Sequence, residues 1–321
     1  MRRHLKVIAV LAAFVLLGAA CGDDDDDTAS SGDNGGTEST VPDGPAISIG
    51  AQDFGESAIV AQIYKGALAN AGYDADVQEL TGFRDLVFGA FDSGDINLAP
   101  DYVASQLEFL LAQAGEAGGQ ATSDVDETLA KLTPLLEDKG LVALTPSDAV
   151  DTNAFVITQE TSDDKGITSL SDLAEKGSDL TLGAPPDCET NGFCIPGLMR
   201  VYGVDFTSHF SPLDFGLIPD ALDAGEVQIG VVGSTDGRLA DESTGWVLLE
   251  DDKGMFAADN VFPVASQELI DAYGDDFKDL MDSISSELTT DDLIAMNKRY
   301  DIDHDDAEDI AADWLSDHGF D

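Results

Sequence analysis

Residues 47–72 read ISIGAQDFGESAIVAQIYKGALANAG. Ile47 to Gly50 is a short strand. From Ser57 to Ala71 the apolar residues Ile59, Ile63 and Ala67 recur on one helical face, and Gly72 stops the pattern. A strand that feeds a helix in this way recurs along the chain. Further strands are expected at Ile96–Leu98, Ala154–Thr158, Leu180–Gly183, Val227–Val232, Val247–Leu249 and Val261–Ala265. Helical patterns lie between most of them, at Phe83–Asp92, Val125–Lys139, Ser169–Lys176, Gly197–Tyr202, Ile218–Ala224, Gln267–Tyr273 and Phe277–Leu288. Such alternation predicts an α/β fold with mostly parallel sheets covered by helices. In these folds ligands sit beyond the carboxyl ends of the strands. Attention therefore falls on Gln52–Glu56, Ala99–Tyr102, Pro185–Asn191 and Gly233–Asp236.

The chain before this body has a different character. Arg2, Arg3 and Lys6 precede an apolar run from Val7 to Leu17, and the small residues Gly18-Ala19-Ala20 stand directly before Cys21. Residues 1–20 read as a secretory signal with a short apolar core. The run is too short to span a bilayer. A cysteine after small residues resembles the lipobox of prokaryotic lipoproteins, in which cleavage precedes the cysteine and lipid is attached to it. Export by the general or the twin-arginine route is left open. Residues 21–45 hold Asp23 to Asp27 in a row, then Ser, Gly, Thr and Asn. A segment with so little apolar surface reads as a solvated tether, so the folded body begins near Ala46.

The formal net charge is −49, from 15 basic and 64 acidic residues. Removal of residues 1–20 takes away Arg2, Arg3 and Lys6 and no acid. That balance excludes nucleic-acid binding through a basic surface. It also disfavours adsorption to anionic lipid, which leaves anchoring to Cys21. A saline habitat would screen the self-repulsion of so acidic a chain. With Cys21 assigned to lipid, Cys188 and Cys194 remain, and outside the cytoplasm they read as a disulfide closing the loop Glu189–Phe193. Zinc would need more ligands, and His209, His304 and His318 are not spaced to supply them.

Enzymatic readings find little support. There is no G-x-S-x-G elbow, and Gly233-Ser-Thr-Asp-Gly237 does not have that spacing. No phosphate-cradling glycine motif appears, so no cofactor is expected.

Five stretches carry a resemblance: Ile49 to Glu56, Ser93 to Tyr102, Pro196-Gly-Leu198 with Val201-Tyr-Gly203, Ser234-Thr-Asp-Gly-Arg238, and Leu249 to Gly254. Their order and spacing make residues 47–320 resemble the osmoprotectant-binding proteins of ABC importers, which take up glycine betaine, choline and carnitine. The resemblance implies a two-lobed clamp of the type II periplasmic-binding-protein kind, joined by two crossover strands near Asn153–Thr158 and Val261–Ala265. Lobe one would hold residues 46–153 and 263–321, and lobe two residues 154–262. It implies partners too: a permease with its ATPase, a small polar or zwitterionic ligand, and the membrane through a lipid anchor on the outer face of the cytoplasmic membrane. A lipoprotein using the same clamp as a sensor without a transporter is the alternative.

The family commonly cages a quaternary ammonium in aromatic rings, because such a cation cannot donate hydrogen bonds and is held by cation–π attraction. Several cage positions here have lost their rings, to Ala99, Val150, Ala154 and Asp259-Asn260, and the basic residue often found in the first loop is Gln52. Phe54, Phe83, Tyr102, Phe155 and Phe256 remain, of which Tyr102 and Phe83 are placed in the cleft. The polar candidates at strand ends and crossings are Gln52, Asp101, Asp151, Thr152, Asn153, Thr235, Asp259 and Asn260. Acids suit a cationic head, and hydroxyls and amides suit carboxylate or polyol oxygens. Glycine betaine leads as ligand, with another amine, zwitterion or polyol as rival.

Overall fold

The run Val261–Ser266 divides its side chains between two cores. Val261 and Ala265 pack in one cluster, Phe262 and Val264 in another. Asn153–Thr158 does the same, with Phe155 and Ile157 on one side and Ala154 and Val156 on the other. Strands apolar on both faces belong to sheets covered on both faces. The computed structural model describes residues 44–321 apart from 83, 117, 118, 190 and 242. The signal, Cys21, most of the tether and Phe83 lie outside the described residues.

Two five-stranded sheets result. The strands are β1 Ile47–Ala51, β2 Ala75–Glu79, β3 Leu98–Tyr102, β4 Leu141–Ala143, β5 Asn153–Thr158, β6 Leu182–Ala184, β7 Phe210–Pro212, β8 Ile229–Gly233, β9 Trp246–Leu248 and β10 Val261–Ser266. The first sheet has the order β2-β1-β3-β10-β4, the second β7-β6-β8-β5-β9. Helix Gly55–Asn70 buries Ile59, Ile63 and Leu68 against β1, and helices Gln267–Glu287 and Ala307–His318 complete that core with Phe277 and Trp314. The long helix breaks at Gly274, whose φ of 66° a glycine tolerates. The same break divides the two helical patterns read in the sequence.

The sheets are mixed rather than mostly parallel. β1 runs parallel to β2 and β3, and β6 to β7 and β8. β10 is antiparallel to β3 and β4, and β5 to β8 and β9. The reason is connectivity. A parallel pair needs a crossover that returns the chain to the same end of its own sheet, and β5 and β10 instead enter directly from the other sheet.

The crossings also differ in detail from expectation. β5 and β10 lie wholly within their sheets, and the chain passes between sheets in residues 144–152 and 249–260. These two straps are themselves antiparallel. Asp151 N–H donates to the Asp259 carbonyl at 3.2 Å, Val261 N–H to Ala149 at 2.9 Å, and Ser147 N–H to Val261 at 2.8 Å.

Candidate ligand-binding cleft

A cleft of about 1210 Å³ opens between the sheets. Its walls are the segments just past the carboxyl ends of parallel strands. Gln52 and Phe54 follow β1, Tyr102 ends β3, Gly233 ends β8, and Asn191 to Phe193 follow β6. Asp151, Thr152, Asn153 and Asp259 reach it from the two straps.

The sequence candidates divide accordingly. Gln52, Tyr102, Asp151, Thr152, Asn153 and Asp259 line the cleft, and Asp101, Thr235 and Asn260 do not. Asp101 is fully buried and fully used. Arg84 Nε donates to Oδ1 at 2.9 Å and Oδ2 at 3.0 Å, Arg84 Nη2 to Oδ1 at 2.6 Å, Gln106 Nε2 to Oδ2 at 2.8 Å, and Tyr102 N–H to Oδ1 at 2.7 Å. Successive strand residues point to opposite faces, so Tyr102 in the cleft puts Asp101 behind it. Asn260 joins the straps by donating to the Ser147 carbonyl at 2.8 Å. Thr235 is buried beneath the cleft, where its carbonyl accepts from Asn297 Nδ2 at 2.9 Å.

Acids dominate the electrostatics. Glu56, 5 % exposed, accepts from the Tyr102 hydroxyl at 2.6 Å and from Asn297 Nδ2 at 2.6 Å. Burial raises its pKa, and the hydrogen bonds from Tyr102, Asn297 and Thr235 oppose that rise. Burial, reinforced by the neighbouring Glu56, pushes Asp151 well above the usual carboxylate range. Burial pushes Asp259 up to about 6, although Ser105 hydrogen-bonds it and Arg84 stands nearby. The Ser105 N–H donates to Asp259 Oδ1 at 2.9 Å and its hydroxyl to Oδ2 at 2.5 Å. Of the two bases that line the cleft, Arg84 is engaged by Asp101 and Arg200 donates to the Gly192 carbonyl at 3.2 Å.

Aromatic side chains come from both sides. Phe54 and Tyr102 stand 6.2 Å apart on the first-sheet side, and on the second-sheet side Phe256 is backed by Phe155 at 6.0 Å. Phe193 and Phe215 also line the cleft. Phe155 itself is fully buried and serves as backing. Cys188 and Cys194 are joined in a disulfide with Cα atoms 5.1 Å apart, holding the loop that carries Phe193. Among the described residues no group of three or more His, Cys, Asp or Glu is arranged to hold a metal ion.

Sequence reasoning missed Arg84, Ser105 and Glu108. A signal existed for the first, since Arg84 is the sole basic residue between Lys65 and Lys131. Ser105 and Glu108 had none: each works through loop amides or a strap residue distant in sequence. Glu108 accepts from the N–H groups of Gly119, Gln120 and Ala121 at 2.6–2.7 Å and so shapes the rim.

Over residues 45–317 the chain matches the family described as the substrate-binding domain of ABC-type glycine betaine transport systems. A glycine-betaine-binding protein of Pseudomonas aeruginosa is 30% identical over 282 residues, covering 85% of this chain and 88% of that protein. A carnitine transport binding protein of Listeria monocytogenes is 24% identical over 255 residues, covering 78% of this chain and 80% of that protein. Among solved structures, one described as a glycine betaine/carnitine/choline ABC transporter superposes with a TM-score of 0.75 at 23% identity, covering 87% of this chain and 99% of that chain. At that identity the likeness bears on the fold.

Proposed function

Because this chain belongs to the substrate-binding domains of ABC-type glycine betaine transport systems, we propose that it is the extracytoplasmic receptor of an ABC importer. In this reading it is held by lipid at Cys21 on the outer face of the cytoplasmic membrane. It passes glycine betaine, or a related small amine or zwitterion, to a permease driven by an ATPase. The relatives are binding proteins of transport systems, and the reading involves no chemistry on the solute.

The observation that carries it is the make-up of the cleft, which is lined by aromatic side chains from both sheets and by more acid than base. Rings attract a cation through their faces, by about 2 kcal/mol or more when water is excluded, and acids in excess favour the same charge. Residues 46–143 with 261–321 act as one lobe and residues 153–248 as the other, closing on the solute about the paired straps 144–152 and 249–260. Gln52, Tyr102, Asp151, Thr152, Asn153 and Asp259 are the polar and aromatic contacts assigned to it.

The test is a thermal-shift screen of the body without signal and tether against betaines, choline, carnitine, amino acids and polyols. A true ligand at 100 times its dissociation constant stabilises by about 2.7 kcal/mol. Stabilisation by none of these solutes refutes the reading. The anchor is tested separately: intact mass should show a lipidated N-terminal Cys21, and Cys21→Ala should release the protein or block its processing.

A further inference from the structure

The disulfide loop carries a chemistry of its own. Six asparagines lie between residues 46 and 321, and only Asn191 is followed by glycine. Asn191 and Gly192 stand within the loop that Cys188 and Cys194 close, and both line the cleft. Asn191 is half-buried and Gly192 is exposed.

The loop arranges these two residues for attack of the Gly192 nitrogen on the Asn191 side chain. Phe193 N–H donates to Asn191 Oδ1 at 2.9 Å, the turn in which an asparagine folds over the peptides that follow it. The ring closed by this bond contains the Gly192 nitrogen, so Asn191 Cγ and that nitrogen are held within one small turn. The same N–H faces the oxygen on which negative charge develops during attack, and a fixed donor there lowers the barrier. Cys194 N–H donates to the Asn191 carbonyl at 3.0 Å. That bond draws electrons from the Asn191–Gly192 peptide and eases loss of the Gly192 proton. Neither the Gly192 N–H nor Asn191 Nδ2 donates to any of the described residues, so the attacking and the leaving nitrogen are both free.

The other asparagines are placed differently. Asn70, Asn97, Asn260 and Asn297 each spend the side-chain nitrogen on a hydrogen bond. Asn153 opens β5 and is followed by Ala154.

We infer that Asn191 is a site of spontaneous deamidation. The Gly192 nitrogen gives its proton to solvent and bonds to Asn191 Cγ. The Cγ–Nδ2 bond breaks, and Nδ2 leaves as ammonia with a proton taken from water. Water then opens the succinimide ring at either carbonyl, which yields aspartate or isoaspartate at 191. No oxidant, reductant or second protein takes part.

Either product sets a carboxylate where a neutral amide stood. Arg200 lies beside it, donating to the Gly192 carbonyl at 3.2 Å and pairing with no carboxylate among the described residues. The isoaspartate route also lengthens the main chain between ends that the disulfide fixes. The extra length is taken up within the loop that carries Phe193 into the cleft wall. That wall therefore changes in charge and shape as the protein ages.

Peptide mapping of the full chain during incubation in mildly alkaline buffer tests this, with isoaspartyl methyltransferase labelling to tell the two products apart. Asn191 should convert to both, ahead of the other five asparagines of residues 46–321, and at least as fast as in the same chain reduced and unfolded in urea. Gly192→Ala should slow the conversion by about 10-fold, equivalent to some 1.4 kcal/mol of barrier, because a side chain crowds the attacking nitrogen. The fold should tolerate this change, since an added Cβ at 192 meets nothing within 4 Å. Slower conversion in the native protein than in the unfolded chain overturns the inference, as does conversion of Gly192→Ala at the parent rate. These readouts involve no solute, so they stand or fall apart from the receptor reading.

Discussion

The Tyr102 hydroxyl donates to Oε1 of Glu56 at 2.6 Å, and Asn297 Nδ2 donates both to Oε2 of the same carboxyl at 2.6 Å and to the Thr235 carbonyl at 2.9 Å. Tyr102 ends a strand of the first sheet and Thr235 follows a strand of the second. One buried acid thereby links the two sides beneath the cleft.

Tyr102→Phe isolates this link. It keeps the ring beside Phe54 and removes the donor to a carboxyl that is 5 % exposed. Leaving a buried acceptor short of a partner costs about 1–3 kcal/mol. The urea midpoint of the empty protein should fall accordingly, with the slope unchanged. An unaltered midpoint would mean that the hydroxyl contributes nothing to Glu56.

The alternation of strands and helices was legible where strands are buried on both faces. Ala154–Ile157 of β5 and Val261–Ala265 of β10 are unbroken apolar runs, and each strand lies between two others of its sheet with cores on either side. β2, β4 and β7 were not read. Ala75–Glu79 is an edge strand whose residues are all at least partly exposed, Leu141–Ala143 has three residues, and Phe210–Pro212 ends in proline. Pro100 hid the length of β3, and it stands opposite Pro263, two residues with no N–H to give. In the cleft, the rule that ligands gather past strand ends found Gln52 and Tyr102. Asp101 does not line the cleft, because the same strand's alternation turns it to the face opposite Tyr102. Asp259 and Asn260 were treated alike, yet only the first lines the cleft. Which polar atoms lack partners depends on residues distant in sequence, and no spacing encodes that.

The disulfide Cys188–Cys194 closes a short loop, and the chain-entropy relation gives such a loop about 2 kcal/mol. The closed loop carries Asn191, Gly192 and Phe193 into the cleft wall. Reduction should therefore weaken solute binding while lowering global stability by no more than about 2 kcal/mol. Titration and urea melts with and without reductant check both. Loss of stability with unchanged affinity would show that the loop is not part of the site.

Asp259 gives the stability a pH dependence of known sign. Its folded pKa of about 6 lies above its ordinary value near 4. The native state therefore holds a proton that the unfolded chain releases. The stabilisation is fully present below about pH 4 and is lost as pH rises through about 6. Its size is on the order of 2 kcal/mol. Asp259→Asn should flatten the curve of stability against pH between about pH 4 and 7. Moderate salt would suppress the general repulsion of so acidic a chain. Parallel curves for parent and variant would contradict the assignment. Since Ser105 already occupies both oxygens of Asp259, the variant should weaken solute binding less than Asp151→Ala does.

At Gly237 the backbones of the two halves come into close contact. A Cβ there would lie 2.4 Å from both N and Cα of Lys298 and 2.8 Å from the carbonyl carbon of Asn297. These are backbone atoms, so no side-chain rotation relieves the clash. Gly237 follows β8 of the second sheet. Lys298 follows helix Thr290–Asn297, whose Leu293 and Met296 pack in the first-sheet core. Gly237→Ala must push these segments apart, and Asn297 with them, which loosens its hold on Thr235 and Glu56. Overpacking of this kind costs about 1–3 kcal/mol. Because the displaced segments lie beneath the cleft, solute affinity should fall by about 10-fold as well, equivalent to some 1.4 kcal/mol. Gly216→Ala is the control, since an added Cβ meets nothing within 4 Å there. It should change neither melting temperature nor affinity. If Gly237→Ala melts and binds like the Gly216 variant, the two halves tolerate separation at this contact, and it plays no part in closing the cleft.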